Sequence, residues 1–324
     1  MRSYLVTFLN DEEVLQESKV FYGDTAIFTG DTESIQKMIG GQPSPYYEFV
    51  GWDPDPAAPI TGITYFRAQF AFDGYIEDSW EDIIANCKAG NIDKYGLGGR
   101  KQITYTLAGK ESTVEMEIIG KNHDNLANTD SEYNNGGSTA SLSFLGIILG
   151  QESWYMSQNA TSEWNNNEEV FPFPDSSSSS QWPAGFNWGG WEFTNVRKKL
   201  QGELFSALPA ELQNNIKPVI KLCDFGRYYG GKVNEVVDTL WIPSATELNS
   251  EKNAVATSGL GEPYPIFNLA SSRIKYAMNG NKTSYWTRSS DKSSSHNYRY
   301  ADAQGEVNSL NAANSLSIAF GFCL

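Results

Sequence analysis

Apolar and polar positions alternate along much of this chain, and stretches of helical period interrupt the alternation. Tyr4-Leu5-Val6-Thr7-Phe8-Leu9 reads as a strand ending in a turn at Asn10-Asp11. Val14-Leu15 and Lys19-Val20-Phe21-Tyr22 continue the pattern and close at Gly23-Asp24. Glu33 to Met38 is predicted as a short helix. Thr64 to Phe70, rich in aromatics, is predicted as a half-buried strand. Near residue 75 the period changes. Trp80, Ile83, Ile84 and Cys87 fall on one helical face, with Ser79 as N-cap, Glu81 and Asp82 in the first turn and Gly90 as the stop. Strands are expected at Gln102–Leu107, Val114–Gly120, Val219–Leu222 and Thr239–Ile242. A second helix is expected over Asn195–Leu208, with Val196, Leu200 and Leu204 on one face, and another turn or helix after Pro209. Ser244 to Glu247 spells a capping box for a short helix. The final run Ser315–Phe322 alternates like a strand. Between Asn122 and Asn187 the chain is loop-rich, with Asn165–Asn167 and Ser176–Ser180 as low-complexity runs.

The chain has 324 residues, enough for two domains and a sizeable core. Its formal net charge of −15 repels phosphate backbones and anionic membranes, so neither nucleic acid nor membrane insertion is expected. No stretch approaches the roughly 20 apolar residues that span a bilayer, and the N-terminus does not read as a secretory signal. Cys87, Cys223 and Cys323 are too few and too far apart for a disulfide framework. One bridge is compatible with them, but buried small hydrophobes are the default. With only His123 and His296, a His-rich metal site is excluded.

The order VTFLNDEEVLQESKVFYGD, YYEFVGWDPD and ITGITYFRAQF resembles the Listeria–Bacteroides repeat, the β-grasp B-repeat of internalin-like surface proteins. Phe49-Val50-Gly51-Trp52-Asp53 carries its F-x-G-W-D centre, and Thr64 to Phe70 is similar to its closing strand. The resemblance implies a spacer or adhesion module over residues 1–74, not an enzyme. This segment holds eleven acidic and four basic residues.

From about residue 76 onward, SWEDIIANCKAG, IIGKNHDNL, WGGWEFTNVRKKL, LPAELQNNIKPVIKLC, LWIPSATEL, YWTRSS and the closing AFGFCL occur in order. Together they resemble a phage and gut-bacterial domain of unassigned function built on a C-type-lectin-like fold. They are also similar, more distantly, to its formylglycine-generating-enzyme version. The expected fold class is therefore α+β: a β-grasp-like domain over 1–74 and a C-type-lectin-like domain over 75–324. The relatives implied include variable proteins of diversity-generating retroelements, whose extreme C-terminus carries diversified binding residues.

The matching segment here runs from Trp286 to Leu324. The expected ligand-binding residues are Ser289, Ser290, Asp291, Ser293, Ser295, His296, Asn297, Tyr298, Tyr300, Asn308, Asn311 and Asn314. Ser, Asn and Tyr suit a binding face because Tyr gives contact area at low entropy cost and Ser and Asn give adaptable hydrogen bonds.

Arg288 is expected to anchor the loop on a carboxylate or carbonyls. Trp188, Trp191 and Arg197 are expected in the core rather than on a sugar-stacking surface. Asp224 and Asp238 are weighed as ligands for a hard cation, but no calcium loop motif accompanies them. Glu262-Pro263-Tyr264 lacks the Asn of calcium-dependent lectins. His123 is expected as a satisfied structural histidine. The enzyme-like relatives need a cysteine pair for copper; Cys223 and Cys323 are the pair that resemblance would assign, yet their flanks read as buried strand ends.

The expected function is thus non-catalytic recognition of a host-cell surface protein or glycan by a phage virion protein. No cofactor or metal is expected, and contacts with other virion proteins and a homo-oligomer such as a trimer are compatible with it. An extracellular or bacterial-surface protein is the alternative location. A decoration or fibre component without a diversified site is the alternative function, and an oxidase is the third.

Overall fold

The computed structural model describes residues 2–39, 41–72, 74–128, 137–157, 187, 190–224, 233–249 and 260–324. Trp188, Asn165–Asn167 and Ser176–Ser180 lie outside the described residues. The described chain is mostly β-sheet. It divides into two compact units, Met1–Ile76 with Tyr95–Gly99, and Glu77–Lys94 with Arg100–Leu324.

In the first unit, β1 (Ser3–Asn10), β2 (Glu13–Phe21), β5 (Tyr47–Asp53) and β6 (Thr64–Phe72) form one sheet in the order β2-β1-β6-β5. The short strands β3 (Met38–Ile39) and β4 (Gln42–Pro43) form a hairpin of their own. β1 runs parallel to β6, and the other neighbours in the sheet are antiparallel. Alternation along β1 and β6 places Val6, Phe8 and Phe66 inside with Ala26 and Ile60, while Leu5 and Tyr65 face solvent. Phe8 stacks on Phe66 at 4.7 Å and meets Trp52 edge-on at 4.9 Å. Burying one such ring stabilises by about 1.5–3 kcal/mol. β5 needs a glycine at Gly51, where φ is +141° and the register slips against β6. That bulge lets Phe49 and Trp52, three residues apart, close to 5.2 Å.

The helix expected over Glu33–Met38 is not formed. Asp31 instead accepts the Glu33 N–H at 2.9 Å and the Ser34 hydroxyl donates to the Asp31 carbonyl, so a local turn leads straight into β3. Six residues form too few helical bonds to offset nucleation, and the Asx turn wins.

In the second unit, α1 (Trp80–Ala89) begins where Ser79 Oγ accepts the Asp82 N–H and ends at Gly90 with φ +74°. Its apolar face packs Trp80 against Phe144 and Phe322. β7 (Arg100–Leu107), β8 (Lys110–Lys121) and β9 (Leu142–Leu149) form an antiparallel set. β10 (Ser153–Tyr155) follows. A helical run comprises α2 (Asn195–Lys199), a π-helical turn over Leu200–Leu204 and α3 (Phe205–Ala207), and α4 (Ala210–Gln213) comes next. β11 (Val219–Asp224) pairs with β12 (Val233–Asp238).

The strand expected over Thr239–Ile242 therefore lies earlier, at β12. Residues 240–242 are buried without joining a ladder, apart from a Trp241–Gly321 bridge. The remaining strands are β13 (Lys275–Ala277), β14 (Lys282–Thr283), β15 (Tyr285–Ser290), β16 (Asn297–Ala301), β17 (Val307–Asn311), β18 (Ser315–Ser317) and β19 (Gly321–Cys323). One sheet runs β14-β13-β9-β8-β7, with β19 also on β9, and another runs β10-β18-β15-β16-β17. The closing run is thus two strands in two sheets, joined by buried Ile318, Ala319 and Phe320.

Candidate functional site

The C-terminal sheet stands on β15, every residue of which is buried. Arg288 lies at its centre with all five N–H donors engaged. Nε donates to the Leu222 carbonyl at 2.9 Å, Nη1 to the Ile242 carbonyl and Glu247, and Nη2 to Glu247 at 2.7 Å and the Leu260 carbonyl at 3.1 Å. Such a bidentate, fully satisfied guanidinium fixes geometry as well as charge. The capping box does form, with the Ser244 N–H on Glu247 at 2.9 Å and the Glu247 N–H on Ser244 Oγ at 3.0 Å. It closes a turn rather than a helix, and the Glu247 carboxylate also serves the buried cations.

Lys221 supplies the second of those cations, from inside the apolar run Val219–Cys223. It donates to Asp124, to Glu247 at 3.2 Å and to the Tyr264 hydroxyl at 2.8 Å, and sits 3.6 Å from the centroid of the Trp241 ring. Tyr264 in turn donates to Asp124 at 2.9 Å. Two cations and two carboxylates thus balance in a buried cluster. Burial opposes ionisation of Glu247, but Arg288 and Lys221 outweigh it and hold its carboxyl below the usual range. Asp124 is likewise held low, as Lys221 overcomes the effect of burial. The sequence signal for this cluster was a lysine at an inward position of an alternating strand.

The three thiols are all held in their protonated form by burial. Cys87, Cys223 and Cys323 are free and buried. Burial pushes the Cys87 and Cys223 thiols up to about 12 and raises that of Cys323, which lies 3.5 Å from Asp124. His123 stacks on Tyr264 at 4.0 Å, but neither ring nitrogen has a hydrogen-bond partner among the described residues, and Nδ1 stays 3.6 Å from Asp124. It packs on Tyr264 beside Asp124, whose charged form it favours.

Asp238 is occupied by Trp191 Nε1 at 2.7 Å, Arg197 Nε at 2.7 Å and Gln201, and Asp224 accepts from Ser290. Among the described residues, no group of three or more His, Cys, Asp and Glu side chains could hold a metal ion, and no helix is long and apolar enough to cross a membrane.

The twelve residues singled out by sequence divide by burial. Ser289, Ser290, Asp291, Ser295 and Tyr298 are buried. Ser289 Oγ accepts the Ala245 N–H, and the Tyr298 ring lies 1% exposed, so both brace the scaffold instead of presenting a contact surface. His296, Asn297, Tyr300 and Asn311 are half-buried, and Ser293, Asn308 and Asn314 are exposed.

β16 and β17 pair Asn297 with Asn311 and Arg299 with Ser309, while Tyr300 pairs with Asn308 on the opposite face. The first face is organised by Asp291. It accepts from Ser293 N and Oγ at 2.9 and 2.7 Å, from Arg299 at 3.2 Å and from Ser309, which also accepts from Asn297 at 3.0 Å. Burial works against ionised Asp291, but the bonds from Ser309 and Ser293 outweigh it and hold the carboxyl low. Asn187 Nδ2 lies within 3.1 Å of the carbonyls of Asp291, Ser294 and Asn297, and the Ala312 N–H donates to the His296 carbonyl at 2.9 Å. Loop and hairpin therefore present Ser293, His296, Asn297 and Asn311 together on a fixed base. Arg299 and Ser309 join this face without having been singled out; their period-two spacing from Asn297 and Asn311 was the available signal.

A β-rich chain with a charge-pinned C-terminal unit is the class these features define. Residues 157–324, more than half the chain, match the family described as a domain of unknown function, DUF6273, and the chain belongs to that family. No curated protein and no solved structure matches it.

Proposed function

We propose that this protein is a non-catalytic recognition protein in which a β-grasp-like repeat module accompanies a C-type-lectin-like domain. The face formed by Ser293, His296, Asn297 and Asn311 contacts a host-surface protein or glycan, with the chain acting as a virion component. The observation that carries this reading is the Asp291 network, which orders a loop of small polar side chains before any ligand arrives. Preorganised loops lose less entropy on binding. Diversification of this face by a retroelement is the form of the proposal with the sharpest test. The burial pattern separates ten of the twelve residues into those free to vary and those that are not; Tyr300 and Asn308 lie on the opposite face.

Sequencing the 3′ end of this gene across sibling isolates tests it. Expected are substitutions at the codons for Ser293, His296, Asn297, Asn311 and Asn314, with Ser289, Ser290, Asp291, Ser295 and Tyr298 constant. An invariant 3′ end removes diversification. A binding screen of the whole chain on intact host cells then decides between a fixed-specificity adhesin and a structural virion part. In that screen Ser293→Arg/Asn311→Arg is expected to abolish binding while circular dichroism shows the fold retained.

A further inference from the structure

Lys221, Asp124 and Glu247 belong to one unit and meet almost out of reach of solvent: their side chains are 1%, 4% and 3% exposed. The backbone brings them there. Lys221 holds an inward position of β11, between Val219 and Cys223. The segment after β8 is bound alongside, through a bridge between Leu126 and Val219 and a bond from the Ile220 N–H to the Asn125 carbonyl at 2.8 Å. The Ala140 N–H fixes Asp124 from another side, donating to its carbonyl at 2.8 Å. Lys221 Nζ therefore lies directly against Asp124 Oδ1, with Glu247 Oε1 at 3.2 Å and the centre of the Trp241 ring at 3.6 Å. The Tyr264 hydroxyl reaches both carboxyl oxygens of Asp124 at 2.9 Å, and the Ser143 hydroxyl donates to Oδ2.

An ion pair held away from water still bears the desolvation cost of both charges. Condensing the amine and the carboxyl into an amide removes that cost, because two charges become one neutral group and a water is released. Charge balance survives the change, since Arg288 and Glu247 keep their own bidentate pair. Reacting groups fixed in contact reach effective molarities of about 10⁵–10⁸ M, which free amines and carboxylates in water never approach. The Tyr264 and Ser143 hydroxyls are already aimed at the oxygens on which charge develops during attack.

We propose that Lys221 and Asp124 are joined by an isopeptide bond that the folded protein forms by itself. Lys221 gives up two protons. One passes to the carboxylate it touches, and the neutral Nζ attacks Asp124 Cγ. The Nζ–Cγ bond forms and one Cγ–O bond breaks. The second proton leaves Nζ through Glu247 and ends on the departing oxygen, so ammonium and carboxylate become one amide and one water. The step balances without an oxidant or a second substrate. The ion pair described above is the state from which the bond forms. The bond ties positions 97 apart in sequence and restricts the unfolded chain as a disulfide does. It stands or falls independently of the recognition face.

The test is the mass of the full chain, purified and fully denatured, followed by a tryptic map. Expected is a chain lighter than its sequence by one water, with the peptide that contains Asp124 joined to one left uncut after Lys221. Lys221→Met, which has no amine to offer, is expected at its full sequence mass. A wild-type chain at full sequence mass would overturn the proposal, because the pair then remains ionic. So would a water lost elsewhere, such as a succinimide at another Asp, with trypsin cutting normally after Lys221. Both results are read on the wild type, so they decide the matter even where Lys221→Met fails to fold.

Discussion

Arg288 and Lys221 are buried cations that share one carboxylate, Glu247, and this sharing sets what a single substitution does. Glu247→Ala leaves both cations short of a partner in a buried site, and breaking such a pair costs about 3–5 kcal/mol. Urea denaturation is the measurement; a loss below about 1 kcal/mol would mean that water enters and relieves the charges. The same residue gives a pH signature. Because the Glu247 carboxyl titrates below its ordinary value near 4.5, its stabilisation is present above that pH and is lost as pH falls through the lower folded value.

Lys275 has the opposite sign. It is fully buried, 3.9 Å from Glu117, and no hydrogen-bond partner reaches its Nζ among the described residues. Burial lowers its pKa from 10.5 to about 8. Below the folded value the fold carries an unfavourable charge, so the protein gains stability as pH rises from about 8 to 10.5. With Arg100 left to face Glu117 at 3.6 Å, Lys275→Met is expected to stabilise at pH 7, with the gain over wild type shrinking across that window. A destabilised methionine variant would show that the Glu117 contact outweighs desolvation.

At the scale of elements, local patterns were legible and their destinations were not. Ser79, the face from Trp80 to Cys87, and Gly90 specify α1 completely, because every signal lies within one helix. The run Ser315–Phe322 looks like one strand, yet its two ends belong to different sheets, and alternation along a chain carries no information about which partner it meets. The cluster around Lys221 joins residues up to 140 positions apart, and only the lysine inside Val219–Cys223 betrayed it. For the face built on β16 and β17, Ser and Asn were legible as a composition. Burial was not: Ser289, Ser290 and Tyr298 look identical in kind to Ser293 and Tyr300 until β15 and β16 are folded. Tyr298→Ala should consequently cost about 3–5 kcal/mol, as for other buried aromatics, while Ser293→Ala should cost only about 1 kcal/mol, for its hydrogen bond to Asp291. The loop itself depends on Asn187. Asn187→Ala is expected to speed hydrogen exchange across Asp291–Asn297 and leave β8 and β9 unchanged; unchanged exchange in the loop would put its rigidity in Asp291 alone.

The molecule as a whole is interleaved in a way that composition hides. A change of character near residue 75 marks where α1 begins, but the N-terminal unit includes Tyr95–Gly99 as well. The reason is visible in contacts local to that unit. Tyr95 is 1% exposed, the Leu97 carbonyl takes the Ser44 hydroxyl, and Gly98 sits at φ +85° where a Cβ would lie 2.8 Å from Ile39 Cδ1 and 3.1 Å from Tyr47. Gly98 is therefore both conformationally required and a point of close approach. Gly98→Ala should cost about 1–3 kcal/mol through overpacking, on top of the strained backbone. The cost should fall on one unit only. Hydrogen exchange in the full chain is expected to accelerate over residues 35–47 while β8, β9 and β15 keep their protection, because each unit buries its own core. Acceleration in both units would mean that they unfold as one cooperative block, and no change anywhere would remove Tyr95–Gly99 from the N-terminal unit.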